Sequence, residues 1–251
     1  LRGLSELVST VILLSVVLTI SVSGFLYAMY YIDQNQAAVE YGFIKSVFRN
    51  IAVTNIDQAI RLDYRYPSSY VAVGYKVTSI NVTFVIGNTI ITFLNTTCLT
   101  ASVRRPLAQG LNMVYGVNKS LVESDTPYMF VYEYYKSGAT TLVLDPSPIT
   151  FKVLYVNSTQ GSYTILYFTL VNFTGLNNPA GPPEIYGQGY MVVKHDPSKD
   201  LYFKYTNTTT IDVYINGLRQ SLPQDILNAL SSSTNGVEVD IRVLRVGVMA
   251  S

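Results

Sequence analysis

Leu7–Ile32 (LVSTVILLSVVLTISVSGFLYAMYYI) carries no charged side chain over 26 consecutive positions. At about 1.5 Å of rise per residue, such a run makes a helix of about 39 Å, long enough to cross the hydrocarbon core of a bilayer. Glu6 stands directly before the run, and the chain opens at Leu1 rather than Met. A secretory signal is removed together with its apolar core, whereas this core is kept. The expectation is that a short leader has been cut away and that the apolar helix belongs to the mature chain. Its surface then has to be covered, either by lipid or by other protein.

The helical pattern continues past Asp33 through QNQAAVEYGFIKSVFRNIAVTNIDQAI, without a proline. Val39, Phe43, Val47, Phe48 and Ile51 fall on one stripe, with Glu40, Lys45 and Arg49 off it. Gly42 costs about 1 kcal/mol relative to alanine, too little to end the helix. One helix is predicted, forming an N-terminal unit over 1–60 whose first half is apolar all round and whose second half is amphipathic.

Beyond Arg61 the period changes from helical to two. Tyr66-Pro67 breaks any helix, and segments rich in Val, Ile, Thr and Tyr follow. INVTFVI and TIITFL flank Gly87-Asn88, and TIDVYI and LRQSL flank Asn216-Gly217, so both pairs read as hairpins. Further strands are expected at 70–77, 128–135, 140–145, 149–156, 163–171, 190–194 and 237–249. A short helix is expected at 223–230, with Ser221 as its cap and Pro223 in its first turn. The chain is therefore α+β, with a β-rich head over 62–251. A subdivision near 146–148 or in the Pro- and Gly-rich loop 177–190 is left open.

Composition narrows the function. The formal net charge of +1 and the 13% of charged residues provide no field to attract nucleic acid. Solubility of the head falls to Ser, Thr, Asn and Tyr, the chain having 21 Tyr in all. A single cysteine, Cys98, excludes an internal disulfide framework and reads as a buried thiol on a strand. With one histidine and one cysteine, no nucleophilic triad can be assembled, and no phosphate-binding glycine loop follows a strand. No catalytic residue, metal ligand or cofactor is called for. His195, in KHDPSKD, reads as part of a charged surface turn.

Two roles fit the retained helix. It anchors the head in a membrane, or it waits in the membrane and then packs against copies of itself. The amphipathic continuation favours assembly, because 33–60 is too polar for lipid and too striped for a free stalk. The residues expected to carry assembly are Glu6, Leu7, Val11, Leu14, Val17, Leu18, Val22, Phe25 and Tyr30. A carboxylate at the head of an apolar helix is favoured by the helix dipole. Glu6 pairs locally with Arg2, or it neutralises a basic group such as the N-terminal amine of a neighbouring copy.

LRGLSELVSTVILLSVVLTI, with Arg2-Gly3 before Ser5 and Glu6, resembles the N-terminus of archaeal type IV pilins. The resemblance covers about the first 35 residues. It implies a subunit with an immunoglobulin-like β-sandwich head, cut by a prepilin peptidase and inserted in the cytoplasmic membrane before assembly. It further implies an extracellular adhesive filament of identical copies, built by an assembly ATPase and a membrane platform protein. Arg2-Gly3 leaves Leu4 as an alternative first residue. Archaellins, the subunits of the archaeal swimming filament, are similar too and rank second. A membrane-anchored surface protein that binds a ligand and does not polymerise is the rival from another class.

Asn-X-Ser/Thr sequons occur at Asn81, Asn95, Asn118, Asn157, Asn172 and Asn207, all in the head. They are candidate glycosylation sites, with Asn157 in NSTQG expected to be the most accessible. The tyrosine clusters read as strand and interface residues, with carbohydrate stacking as the less frequent alternative.

Overall fold

The computed structural model describes residues 2–54, 56, 58–78, 80–93, 96–116, 122–124, 129–158, 161–233 and 236–251. Helix α1 spans Arg2–Val53. Two hydroxyls inside its apolar half are satisfied internally: Ser15 donates to the Val11 carbonyl and Thr19 to the Ser15 carbonyl, each at 2.8 Å. The helix closes at Thr54, whose N–H and hydroxyl both donate to the Asn50 carbonyl at 3.0 and 2.7 Å. It thus ends at Val53 rather than near residue 60. Ile60, Leu62 and Tyr64 alternate inward along a strand, and their burial on the core decides against further helix.

The strands are β1 (Ile60–Arg65), β2 (Val71–Thr78), β3 (Val82–Ile86), β4 (Thr89–Phe93), β5 (Thr96–Val103) and β6 (Leu111–Tyr115). Next come β7 (Val122–Ser124), β8 (Phe130–Lys136), β9 (Ala139–Asp145), β10 (Ile149–Ser158), β11 (Gly161–Gly175) and β12 (Glu184–Ile185). The chain finishes with β13 (Tyr190–His195), β14 (Leu201–Thr208), β15 (Ile211–Ile215), β16 (Leu218–Arg219), helix α2 (Gln224–Ser232) and β17 (Val237–Ala250). The α+β class holds: a long N-terminal helix precedes a β-rich head. Helix α2 begins at Pro223 as its N-cap without a side-chain capping bond, so Ser221 does not cap it.

Three sheets form. Five strands run β2-β5-β9-β8-β6, four run β16-β15-β3-β4, and an eight-stranded sheet is built around β11 and β17. Those two long strands pair in parallel from Ile165↔Glu238 to Gly175↔Val248. Along β17, Val237, Val239, Ile241 and Val243 enter one core, with Phe84, Val213 and Ile226. Leu244, Val246, Val248 and Ala250 enter a second core, with Leu99, Leu142 and the helix residues Ile44 and Phe48. Because strand side chains alternate faces, these two sets point to opposite sides of the sheet. The four-stranded sheet and α2 cover one face at one end, and the five-stranded sheet and α1 cover the other face at the other end. Neither core is confined to one side of 146–148 or 177–190.

The two hairpins expected from sequence turn at Gly87-Asn88 and Asn216-Gly217. Asn216 at φ 51° and Gly217 at φ 78° give the left-handed pair of a tight hairpin turn. The hairpins then join each other through antiparallel β3 and β15, making one sheet.

Candidate functional site

Helix α1 divides into two halves. From Val8 to Ile32 every described side chain is exposed, on all sides of the helix. Leu14 is 60%, Leu18 56% and Phe25 64% exposed, and Val11, Val17, Val22 and Tyr30 are similarly open. Glu6 and Leu7 lie in the helix, and their side chains fall outside the described residues. By length and composition this helix is able to cross a membrane. Gly24 and Gly42 are helical, and a Cβ added at either would meet nothing within 4 Å. The helical cost of each glycine, about 1 kcal/mol, is therefore not repaid by packing inside this chain.

The head takes hold of the helix at its first charge after the apolar run. Asp33 forms an ion pair with Arg105. One turn on, the Tyr70 hydroxyl donates to Gln36 at 3.2 Å, and the Tyr70 N–H donates to the buried Glu40 carboxylate at 2.8 Å. The inward face is Ala37, Glu40, Tyr41, Ile44, Val47, Phe48 and Ile51, spaced at three and four residues. Val47, Phe48 and Ile51 are buried as expected. Val39 and Phe43 instead face outward, at 70% and 41% exposure, and Glu40 is inside. The difference arises because Tyr41 and Ile44, not Phe43, are in phase with Phe48 and Ile51.

Glu133 on β8 is the polar centre of this docking. Its buried carboxylate accepts from Tyr41 Oη at 2.7 Å, from Lys45 Nζ at 3.0 Å and from Asn112 Nδ2 at 3.0 Å. Burial alone would raise its pKa. The bonds from Tyr41, Lys45 and Asn112, with the Lys45 charge, outweigh burial and hold the carboxyl below its ordinary value. Tyr41 is shifted upward, by burial first and then by its bond to Glu133, so it stays a donor.

His195 is not on the surface. It ends β13 at 1% exposure, its Nδ1 2.9 Å from the Gln58 carbonyl and its Nε2 3.0 Å from the Asp200 carboxylate. Asp200 also accepts from Arg242 Nε at 2.9 Å and from the Arg245 N–H at 3.1 Å. The charged turn expected from KHDPSKD is confined to Pro197–Lys199, a 3-10 turn capped by Asp196. His195 and Asp200 flank that turn and point inward. They clasp the chain leaving α1 to the large sheet.

Cys98 is a free, buried thiol 3.0 Å from Thr78 Oγ1, its pKa pushed up to about 12 by burial first and then by Asp145. Among the sequons, Asn81, Asn157 and Asn207 are exposed, and Asn207 sits at φ 57° beside a register shift between β14 and β17. Asn157 lies on β10 opposite Ser162 rather than in a turn. Asn172 lies within β11 with its Oδ1 buried. Asn95 and Asn118 fall outside the described residues. Among the described residues, no group of three or more His, Cys, Asp or Glu side chains is placed to hold a metal ion. Comparison with known protein families, with curated proteins and with solved structures gives no match to this chain.

Proposed function

We propose that this chain is the structural subunit of an archaeal type IV pilus-like filament on the cell surface, serving adhesion and acting without catalysis. The observation that carries the reading is the contrast within α1: 8–32 is apolar and exposed on all sides, while 37–52 is docked on the head. Copies packed through the first half would bury that surface on every side. Each large apolar side chain so buried is worth about 1.5–3 kcal/mol before ordering costs. The unrepaid glycines Gly24 and Gly42 add support, since a bare backbone lets a second helix approach closely. Before assembly the same helix would sit in the cytoplasmic membrane, where the internally bonded Ser15 and Thr19 cost little. Prepilin peptidase, an assembly ATPase and a membrane platform protein are the partners this reading requires.

Substituting Leu14→Lys tests the proposal. A charge at this position is expected to abolish filaments in the sheared surface fraction, seen by electron microscopy, while the detergent-extracted chain keeps the strand signal of its head. Normal filaments from this variant refute it. Wild-type protein found only in the detergent-soluble membrane fraction would favour the anchored, non-polymerising reading. Filaments whose loss stops swimming would favour an archaellum.

A further inference from the structure

The face of the large sheet opposite the second-sheet cover of β3 and β15 is not bare. A cavity of about 780 Å3 lies over it, walled by the end of α1 at Ala52–Thr54 and by Tyr115. Its floor consists of two neighbouring rows of side chains running across β10, β11, β17 and β14. One row is Lys152–Tyr167–Asp240–Lys204, and the other carries Arg242 beside Tyr202. At about 4.8 Å between strands, four strands span about 14 Å, enough for several linked rings rather than one.

Three properties define the ligand. Asp240 Oδ1 is buried with no hydrogen-bond partner among the described residues. The Tyr167 hydroxyl serves the same carboxyl, whose pKa is raised by burial first and then by Glu238. Oδ1 is the acceptor position still open to a donor. Tyr202 is an aromatic platform with one face taken: Arg242 lies over it, 5.4 Å from the ring centroid, and is itself held by the buried Asp200, which leaves the other face for a ligand. The charges cancel, because Lys204 is matched by Glu238 at 2.7 Å and Arg242 by Asp200 at 2.8 Å, leaving Lys152 against Asp240. An anion would meet Asp240 and the carbonyl end of α1, and a cation would meet Lys152. An apolar ligand would strand both. The Tyr167 hydroxyl, its pKa raised by burial and then by Asp240, remains a donor.

We propose that this cavity binds a neutral oligosaccharide, whose hydroxyls both donate to Asp240 and accept from Lys152 while a ring face lies on Tyr202. The site belongs to the head and does not depend on polymerisation of α1.

The test uses the full chain, made in a host without N-glycosylation and held in a polyoxyethylene detergent, which has no sugar headgroup. Calorimetric titration with glucose, mannose and galactose trisaccharides, and with trigalacturonate, is the measurement. At least one neutral trisaccharide is expected to bind with Kd below about 1 mM, and trigalacturonate about tenfold more weakly. Asp240→Asn and Tyr202→Ala should each weaken that binding about tenfold with melting unchanged; Tyr202 is 62% exposed, so its loss leaves the core intact. The Leu14→Lys chain should bind as wild type does, which separates this site from assembly. No binding by any neutral trisaccharide, tighter binding of trigalacturonate, or indifference to both substitutions overturns the proposal.

Discussion

Replacing Glu133 with Gln changes one buried group and should loosen the grip of the head on α1. The carboxylate is 4% exposed and accepts from three donors, two of them on the helix. Glutamine keeps the shape and one oxygen but puts an amide N–H2 where donors already point. A buried hydrogen bond to a charged group is worth about 1.5–3 kcal/mol. The Lys45 side chain is 34% exposed and regains water, so its share is discounted. A net loss of about 2 kcal/mol is expected, which for a domain of this size lowers the melting temperature by about 4–8 °C.

The pH dependence supplies a sharper check. The folded pKa of Glu133 is depressed, so its stabilisation is fully present above the unfolded value, about 4.3, and is lost as pH falls through the folded pKa. Melting of wild type and Glu133→Gln, followed by circular dichroism in detergent, should differ at pH 7 and converge on acidification. Trypsin cleavage after Lys45 and Arg49 should accelerate in the variant at neutral pH. Equal melting at pH 7, or a difference that persists unchanged to pH 3, would refute the account of the docking.

Other consequences are open to measurement. His195→Ala removes one of the groups hydrogen-bonded to the buried Asp200 carboxylate, which keeps Arg242 and the Arg245 N–H. It also leaves the Gln58 carbonyl without its ring partner, for a total cost of about 1–3 kcal/mol. A variant melting within a degree of wild type would sink the clasp. Gly24→Leu should leave the melting of the head unchanged, because a Cβ added there meets nothing within 4 Å among the described residues. The same variant should lower filament yield in sheared fractions, and a yield equal to wild type would remove close helix approach from the assembly reading. Phe48→Ala, at a fully buried site on the docked half, should cost about 3–5 kcal/mol in thermal melting. Val39→Ala on the outward face should cost under about 1 kcal/mol, and equal losses from the two would contradict the assigned face.

Much of the local structure was legible because each signal sits in neighbouring residues. The charge-free run, the hairpin turns at Gly87-Asn88 and Asn216-Gly217, and the period-two segments at 149–156 and 237–249 all reappear as elements. The phase of the docked helix was harder. Val39 and Phe43 compete with Ala37, Tyr41 and Ile44 for the inward stripe, and the tie is broken by what the head offers at each position, above all Glu133 and Tyr70. His195 failed for the same reason: a charged heptapeptide looks solvated until Gln58, Arg242 and Arg245 are brought around it from distant parts of the chain.

The amino-acid sequence by itself determined that residues 7–32 form a helix needing cover, because no charge interrupts them and hydrophobicity is a property of composition. It also determined that a β-rich head follows, because alternation and turn residues act over two to ten positions. Only the tertiary structure decided where the cover of the large sheet changes faces, at Val243 and Leu244. That choice depends on which other sheets arrive on each side, and those sheets are assembled from segments far apart in the chain. The cavity floor, with Lys152, Tyr167, Asp240 and Lys204 in one row, follows from that choice and from strand register, which no local pattern records.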